Sequence, residues 1–208
     1  MILKFIICLI VGYAFGSFST AYVVGKAKHV DIRNAGSGNA GTTNALRTLG
    51  LKAGLITFLG DAIKAIIPII AIKIIFQNSE LNWQLLSLYA GLGVVVGHNF
   101  PVWLNFKGGK GIAATAGVIL AIADYRVTLT GLALFIIIVA ITRYVSLGSL
   151  MVAFLLPINN LLFFRGSEDF IHMLIVSLLF TALAYYKHRD NIKRLLNGTE
   201  RKIGQKSE

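Results

Sequence analysis

The chain has 208 residues, 56% of them hydrophobic and only 14% charged, with a mean hydropathy of +0.73, where an ordinary soluble domain carries about a quarter charged residues. That balance excludes a soluble globular enzyme and marks an integral membrane protein. A net charge of +11 cannot coat so apolar a chain evenly; it must gather in loops, where it sorts topology and meets anionic headgroups or substrates.

A helix needs about 20 apolar residues to cross a hydrocarbon core of roughly 30 Å. Seven segments are predicted as spans, approximately 4–24, 52–76, 82–100, 111–123, 127–142, 146–164 and 170–186. The first is read as a retained span rather than a cleaved leader, because residues 5–25 carry no charge over 21 positions and the stronger positive charge follows them. Cys8 within it is the chain's one cysteine, so no intrachain disulfide forms. The fourth segment has 13 residues between Lys110 and Asp124, short for a span unless it is fed by a loop that dips into the protein.

Seven crossings place the termini on opposite sides. One side collects 15 of the 20 basic residues: Lys26, Lys28, Arg33, Arg47, Lys52, Lys107, Lys110, Arg143, Lys187, Arg189, Lys193, Arg194, Arg201, Lys202 and Lys206. Lys4, Arg126 and Arg165 fall on the other, and Lys64 and Lys73 within the second span. The positive-inside rule therefore puts the N-terminus outside and the C-terminus in the cytoplasm. No repeat or second domain is visible; residues 1–208 read as a single domain with a polar cytoplasmic tail from about 187.

Three polar segments fall on the cytoplasmic side. In the loop after the first span, RNAGSGNAGTTNALRTLG (33–50) contains a G-x-G-x-x-G at Gly36, Gly38 and Gly41. The dinucleotide fingerprint needs a strand before it and a helix after it, and here a membrane span precedes it. What remains is a run of glycine amides with Ser37, Asn39, Thr42, Thr43 and Asn44 placed to cap a helix whose positive end faces an anion, and Arg47 one turn on. The second segment, GHNFPVWLNFKGGKG (97–111), has Leu104 and Gly111 where a P-loop needs Gly and Ser or Thr. Gly108, Gly109 and Gly111 nevertheless permit close backbone approach, and Lys107 and Lys110 supply charge. His98 reads as a packing or hydrogen-bonding histidine. The third comprises RYVSLGS (143–149), with Ser146 and Ser149 as hydroxyl donors or caps, and KHRDNIKRLLNG (187–198), where His188 and Asn191 share a helix face. Lys193 and Arg194 read as headgroup anchors. Asp61 and Lys64, three apart in the second span, read as a mutually neutralising pair.

Taken in order, G-S-G-N-A-G-T-T-N-A-L-R (36–47), G-H-N-F-P and F-K-G-G-K-G (97–111), Y-V-S-L (144–147) and H-R-D-N-I-K-R-L-L-N-G (188–198) resemble the bacterial membrane glycerol-3-phosphate acyltransferases that use acyl phosphate as donor, the PlsY family. The resemblance runs nearly the whole chain. It implies an all-α integral membrane protein of the bacterial inner membrane, with seven transmembrane helices and glycine-rich cytoplasmic loops forming a phosphate pocket. It implies acyl transfer from acyl phosphate to the 1-hydroxyl of glycerol 3-phosphate, giving lysophosphatidic acid and inorganic phosphate in phospholipid biosynthesis. No CoA or acyl carrier protein serves as donor on this reading, and no nucleic acid partner, metal or cofactor is implied; the lipid bilayer holds the acyl chain. Carried over as catalytic are Ser37, Arg47, Lys107, His188 and Asn191. Gly38, Asn39, Gly41, Thr43, Asn44, Gly108, Gly109, Lys110, Gly111 and Ser146 are carried over as substrate-binding.

The acceptor proton has two possible destinations, His188 oriented by Asn191 or a substrate phosphate oxygen, and the positioning of an activated anhydride favours the second. The family usually reads G-V-A-T after the second lysine; here Gly111 is followed by Ile112, Ala113, Ala114 and Thr115, so no hydroxyl stands at 114. The H-x-x-x-x-D pair of other acyltransferases is absent: Asn34, Trp103, Ser177 and Lys193 stand five residues after the four histidines. The competing expectation is an anion or organophosphate transporter, which a broken helix with glycine amides also suits.

Overall fold

Helix is the only regular structure among residues 1–78 and 80–205, which the computed structural model describes. Lys206, counted in the predicted tail, lies outside the described residues. The chain divides into two compact units, residues 1–122 and the segment that begins at Ala123.

In the first unit, α1 (Ile2–Ser17) and α2 (Thr20–Ala27) make up the first predicted span. It is not one continuous helix. Phe18 is extended, with φ −68° and ψ 120°, and the Ser19 side chain caps α2 by accepting from the Tyr22 N–H. There follow α3 (Thr42–Leu49), α4 (Leu51–Phe76), α5 (Trp83–Asn99), a 3-10 turn (Val102–Leu104) and α6 (Ile112–Ile122). α1 packs on α5 through facing small residues. A side chain on Gly12 would strike the Ala90 carbonyl and one on Gly16 that of Val94, while Gly93 and Gly97 lie against the Leu9 and Tyr13 carbonyls. In lipid, where apolar surface gains nothing by leaving water, such close backbone approach is what holds helices together.

In the second unit, α7 (Tyr125–Thr142) is capped by Asp124, whose side chain accepts from the Arg126 N–H. α8 (Val145–Val152), α9 (Leu155–Phe163), α10 (Phe170–Lys187) and α11 (Arg189–Leu196) follow. Polar side chains tie the helices where they break: Asn159 accepts from the Asp124 N–H at 2.8 Å, Asn160 donates to the Met173 carbonyl at 3.0 Å, and Thr181 donates to the Ala153 carbonyl at 2.7 Å.

Among the described residues, six helical segments are long and apolar enough to cross a membrane: Ile2–Ala27, Leu51–Phe76, Trp83–Leu104, Tyr125–Thr142, Val145–Phe163 and Phe170–Lys187. The fourth of the seven predicted spans corresponds to α6. Its 11 residues reach roughly 16 Å at 1.5 Å per residue, about half the hydrocarbon thickness.

Candidate active site

The loop that precedes α3 is tightly built. Ile32 and Ala40 are buried against Ala21 of α2. Arg33 donates to both carboxylate oxygens of Asp31, at 3.0 and 2.8 Å, and these hydrogen bonds hold the Asp31 carboxyl down at about 2. Asn44 occupies the centre of the loop: its amide donates to the Ile32 and Ala35 carbonyls, and its oxygen accepts from the Ser37 N–H at 2.9 Å. Gly36, at φ +62°, lies against that oxygen, so both the left-handed backbone and the space require glycine. α3 itself begins behind Gly41 with no side-chain cap. The expectation that the polar residues from Ser37 to Asn44 cap this helix is thus corrected: Asn44 braces the loop from within. Ser37 is exposed at the tip, while Asn39, Thr43 and Arg47 are half-buried.

The second loop returns sharply on the end of α5. The Pro101 carbonyl accepts from both the Leu104 and Phe106 N–H groups, and Asn105 and Phe106 adopt φ of 52° and 60°, a left-handed pair that is strained for a bulky phenylalanine. Lys107 follows, exposed, and Lys110 is half-buried. The Gly108 N–H goes to the Asn99 carbonyl and that of Gly109 to the His98 carbonyl. In the first loop the Gly38 and Gly41 N–H groups go to the Ala35 and Asn39 carbonyls. The glycine amides expected to face an anion are therefore engaged at these four positions, two within the first loop and two on the carbonyl end of α5, because a chain this tightly turned must satisfy its donors. The glycines serve close approach instead: a side chain on Gly109 would meet the His98 ring and the Ala40 carbonyl, and one on Gly111 the Asn99 side chain. Gly109 and Ala40 thus bring the two loops together, with Asn39 next to Ala40 in the chain and Lys107 and Lys110 within two residues of Gly109.

The second unit gathers Ser146, Asn191 and a residue that none of the motifs contains, Glu200. Its Oε1 accepts from Ser146 Oγ at 2.8 Å and Asn191 Nδ2 at 2.6 Å, and Oε2 from Arg194 Nε at 2.8 Å. Burial opposes its ionisation, but the hydrogen bonds from Asn191, Ser146 and Arg194 prevail and hold the carboxyl below its usual range. Ser146 is therefore a donor and not a cap, and Arg194, expected as a headgroup anchor, pairs with Glu200. The one signal for Glu200 in the sequence is an acidic residue within a basic tail. His188 lies at the junction of α10 and α11, buried, with Nδ1 2.7 Å from the Ala184 carbonyl. That carbonyl can only accept, so Nδ1 carries a proton.

The family model described as Glycerol-3-phosphate acyltransferase matches residues 6–198. The fold matches a crystal structure of PlsY (YgiH), an integral membrane glycerol 3-phosphate acyltransferase in its glycerol 3-phosphate form, with a TM-score of 0.83 at 36% identity and 96% of each chain covered. The chain belongs to the PlsY family of glycerol-3-phosphate acyltransferases. The lysophosphatidic acid form of the same PlsY matches with a TM-score of 0.81 at 34% identity, covering 96% of this chain and 95% of that one. Among relatives in the family, the glycerol-3-phosphate acyltransferase of Clostridioides difficile (strain 630) is 47% identical over 208 residues, covering 100% of this chain and 99% of its own. That of Alkaliphilus metalliredigens (strain QYMF) is 45% identical, with 97% of each chain covered.

Proposed function

We propose that the protein is a glycerol-3-phosphate acyltransferase that takes its acyl group from acyl phosphate and releases lysophosphatidic acid and inorganic phosphate, at the cytoplasmic face of a bacterial inner membrane. The observation that carries this reading is the match, over 96% of the chain, to PlsY in its glycerol 3-phosphate and lysophosphatidic acid forms. It favours the enzyme over the transporter.

Acyl phosphate is an activated anhydride, so the reaction needs no protein nucleophile and rests on positioning and charge stabilisation. The glycerol 1-hydroxyl oxygen bonds to the acyl carbon, the bond from that carbon to the phosphate oxygen breaks, and phosphate departs with the electron pair. The hydroxyl proton passes to a phosphate oxygen of a substrate. Arg47, Lys107 and Lys110 neutralise phosphate charge, and Ser37 and Asn39 donate hydrogen bonds. His188 holds the polar acceptor, beside Ser146 and Asn191, which Glu200 fixes in place. Gly38, Gly41, Thr43, Asn44, Gly108, Gly109 and Gly111 shape the loops so that a phosphate approaches closely.

Incubating the purified protein with acyl phosphate and labelled glycerol 3-phosphate tests this directly. Labelled lysophosphatidic acid is expected without added metal or nucleotide, and essentially none with acyl-CoA as donor. Comparable rates from acyl-CoA would overturn the donor assignment.

A further inference from the structure

Asp61 and Lys64 of α4, His98 of α5 and the break between α1 and α2 meet in one buried cluster. Lys64 Nζ lies 2.8 Å from Asp61 Oδ1, 2.6 Å from the Phe18 carbonyl oxygen and 3.0 Å from His98 Nδ1, and Thr20 Oγ1 donates to Asp61 Oδ1 at 3.0 Å. Asp61, Lys64 and His98 are 1%, 6% and 5% exposed. Charged side chains inside membrane helices are costly, and they persist where they serve a function. Acyl transfer as derived above uses none of the three.

The break in the first helix supplies one partner. In a continuous helix the Phe18 carbonyl would accept from the Tyr22 N–H; that N–H goes to Ser19 Oγ instead, and Lys64 takes the carbonyl. An ammonium has three N–H donors and no acceptor, and Lys64 has three partners. His98 Nδ1 is the third of them, and it also lies 3.7 Å from Asp61 Oδ1. This fixes the ring on one edge. Its other edge, Nε2 and Cε1, fills the space where a side chain on Gly109 would stand, and the His98 carbonyl accepts the Gly109 N–H at 3.1 Å. One residue thus grips Gly109 by ring and by backbone, close in the chain to the strained pair at Asn105 and Phe106.

We propose that the Asp61–Lys64 pair and His98 form a positioning device that holds loop 105–111 in its strained conformation and so sets Lys107 and Lys110. The ligand of those lysines rests on the function proposed above; the holding of the loop does not.

Hydrogen exchange by mass spectrometry on the full-length protein in detergent reads the loop directly. In Lys64→Met and His98→Leu, amides in 105–111 are expected to exchange at least about tenfold faster than in the unaltered chain, with α5 and α7 unchanged. His98→Asn, whose side-chain amide can still hydrogen-bond to the Asp61–Lys64 pair, should keep most of the protection. The double variant Asp61→Asn/Lys64→Met removes both charges together and repeats the test if Lys64→Met alone fails to insert. Alongside, kcat/KM for acyl phosphate should fall about tenfold or more in the variants that free the loop and recover in His98→Asn. Unchanged exchange over 105–111, or an equal rise in every helix, would overturn the proposal. The exchange result holds whether or not acyl phosphate proves to be the donor.

Discussion

Glu200 joins three donors on one carboxylate, from a position 54 residues along the chain from Ser146. Nothing in the spacing announces that contact, whereas Asn191 and His188 are legible through their motif. Glu200→Gln keeps the shape but removes the charge and faces a donor with a donor; a loss of about 1–3 kcal/mol in stability is expected, read as a lowered Tm in detergent. Because the folded-state pKa lies below the ordinary value of 4.5, the stabilisation is complete above that value and is lost as pH falls through the folded pKa. Thermal scans should therefore separate the native chain from Glu200→Gln at neutral pH and bring them together in acid. Arg47→Ala and Lys107→Ala should each lower kcat/KM by about 2–4 kcal/mol of transition-state stabilisation while the protein still inserts. Arg47→Lys should also be poor, since an ammonium cannot reproduce a bidentate fork. For His188→Gln, substrate-assisted proton transfer predicts mainly a raised KM for glycerol 3-phosphate. A fall in kcat of about a thousandfold at saturating substrate would make His188 the base instead.

Among the elements, the long apolar helices are legible because hydropathy over about 20 residues reports the bilayer itself. The break at Phe18 is not, since Ser17, Ser19 and Thr20 are uncharged residues that a span tolerates, and Ser19 acts by drawing the Tyr22 N–H away from the helix. The glycines of α1 and α5 show the same limit. Gly12, Gly16, Gly93 and Gly97 read as interruptions until the two helices are seen to cross at those points. Gly93→Leu should force α1 from α5 and lower stability by about 1–3 kcal/mol, measured by thermal unfolding in detergent. An unchanged Tm would mean that the contact carries no stability.

For the whole molecule, the expected topology is an outside N-terminus and a cytoplasmic tail, with α6 counted as a seventh crossing. A reporter fused after Glu208 should be active only if it functions in the cytoplasm; activity confined to the outside would reverse the orientation and place the basic loops on the wrong face. Composition and the order of the motifs determined the membrane class, the helical fold and the family, because these depend on how residues are distributed along the chain. The three-dimensional arrangement decided the rest. It showed that glycine amides expected to face an anion bond to their own loop or to the end of α5, that Glu200 gathers Ser146, Asn191 and Arg194, and that Asp61, Lys64 and His98 meet a broken helix end. Hydrogen-bond partners distant in sequence are chosen by packing, and packing leaves no period or spacing in the chain to read.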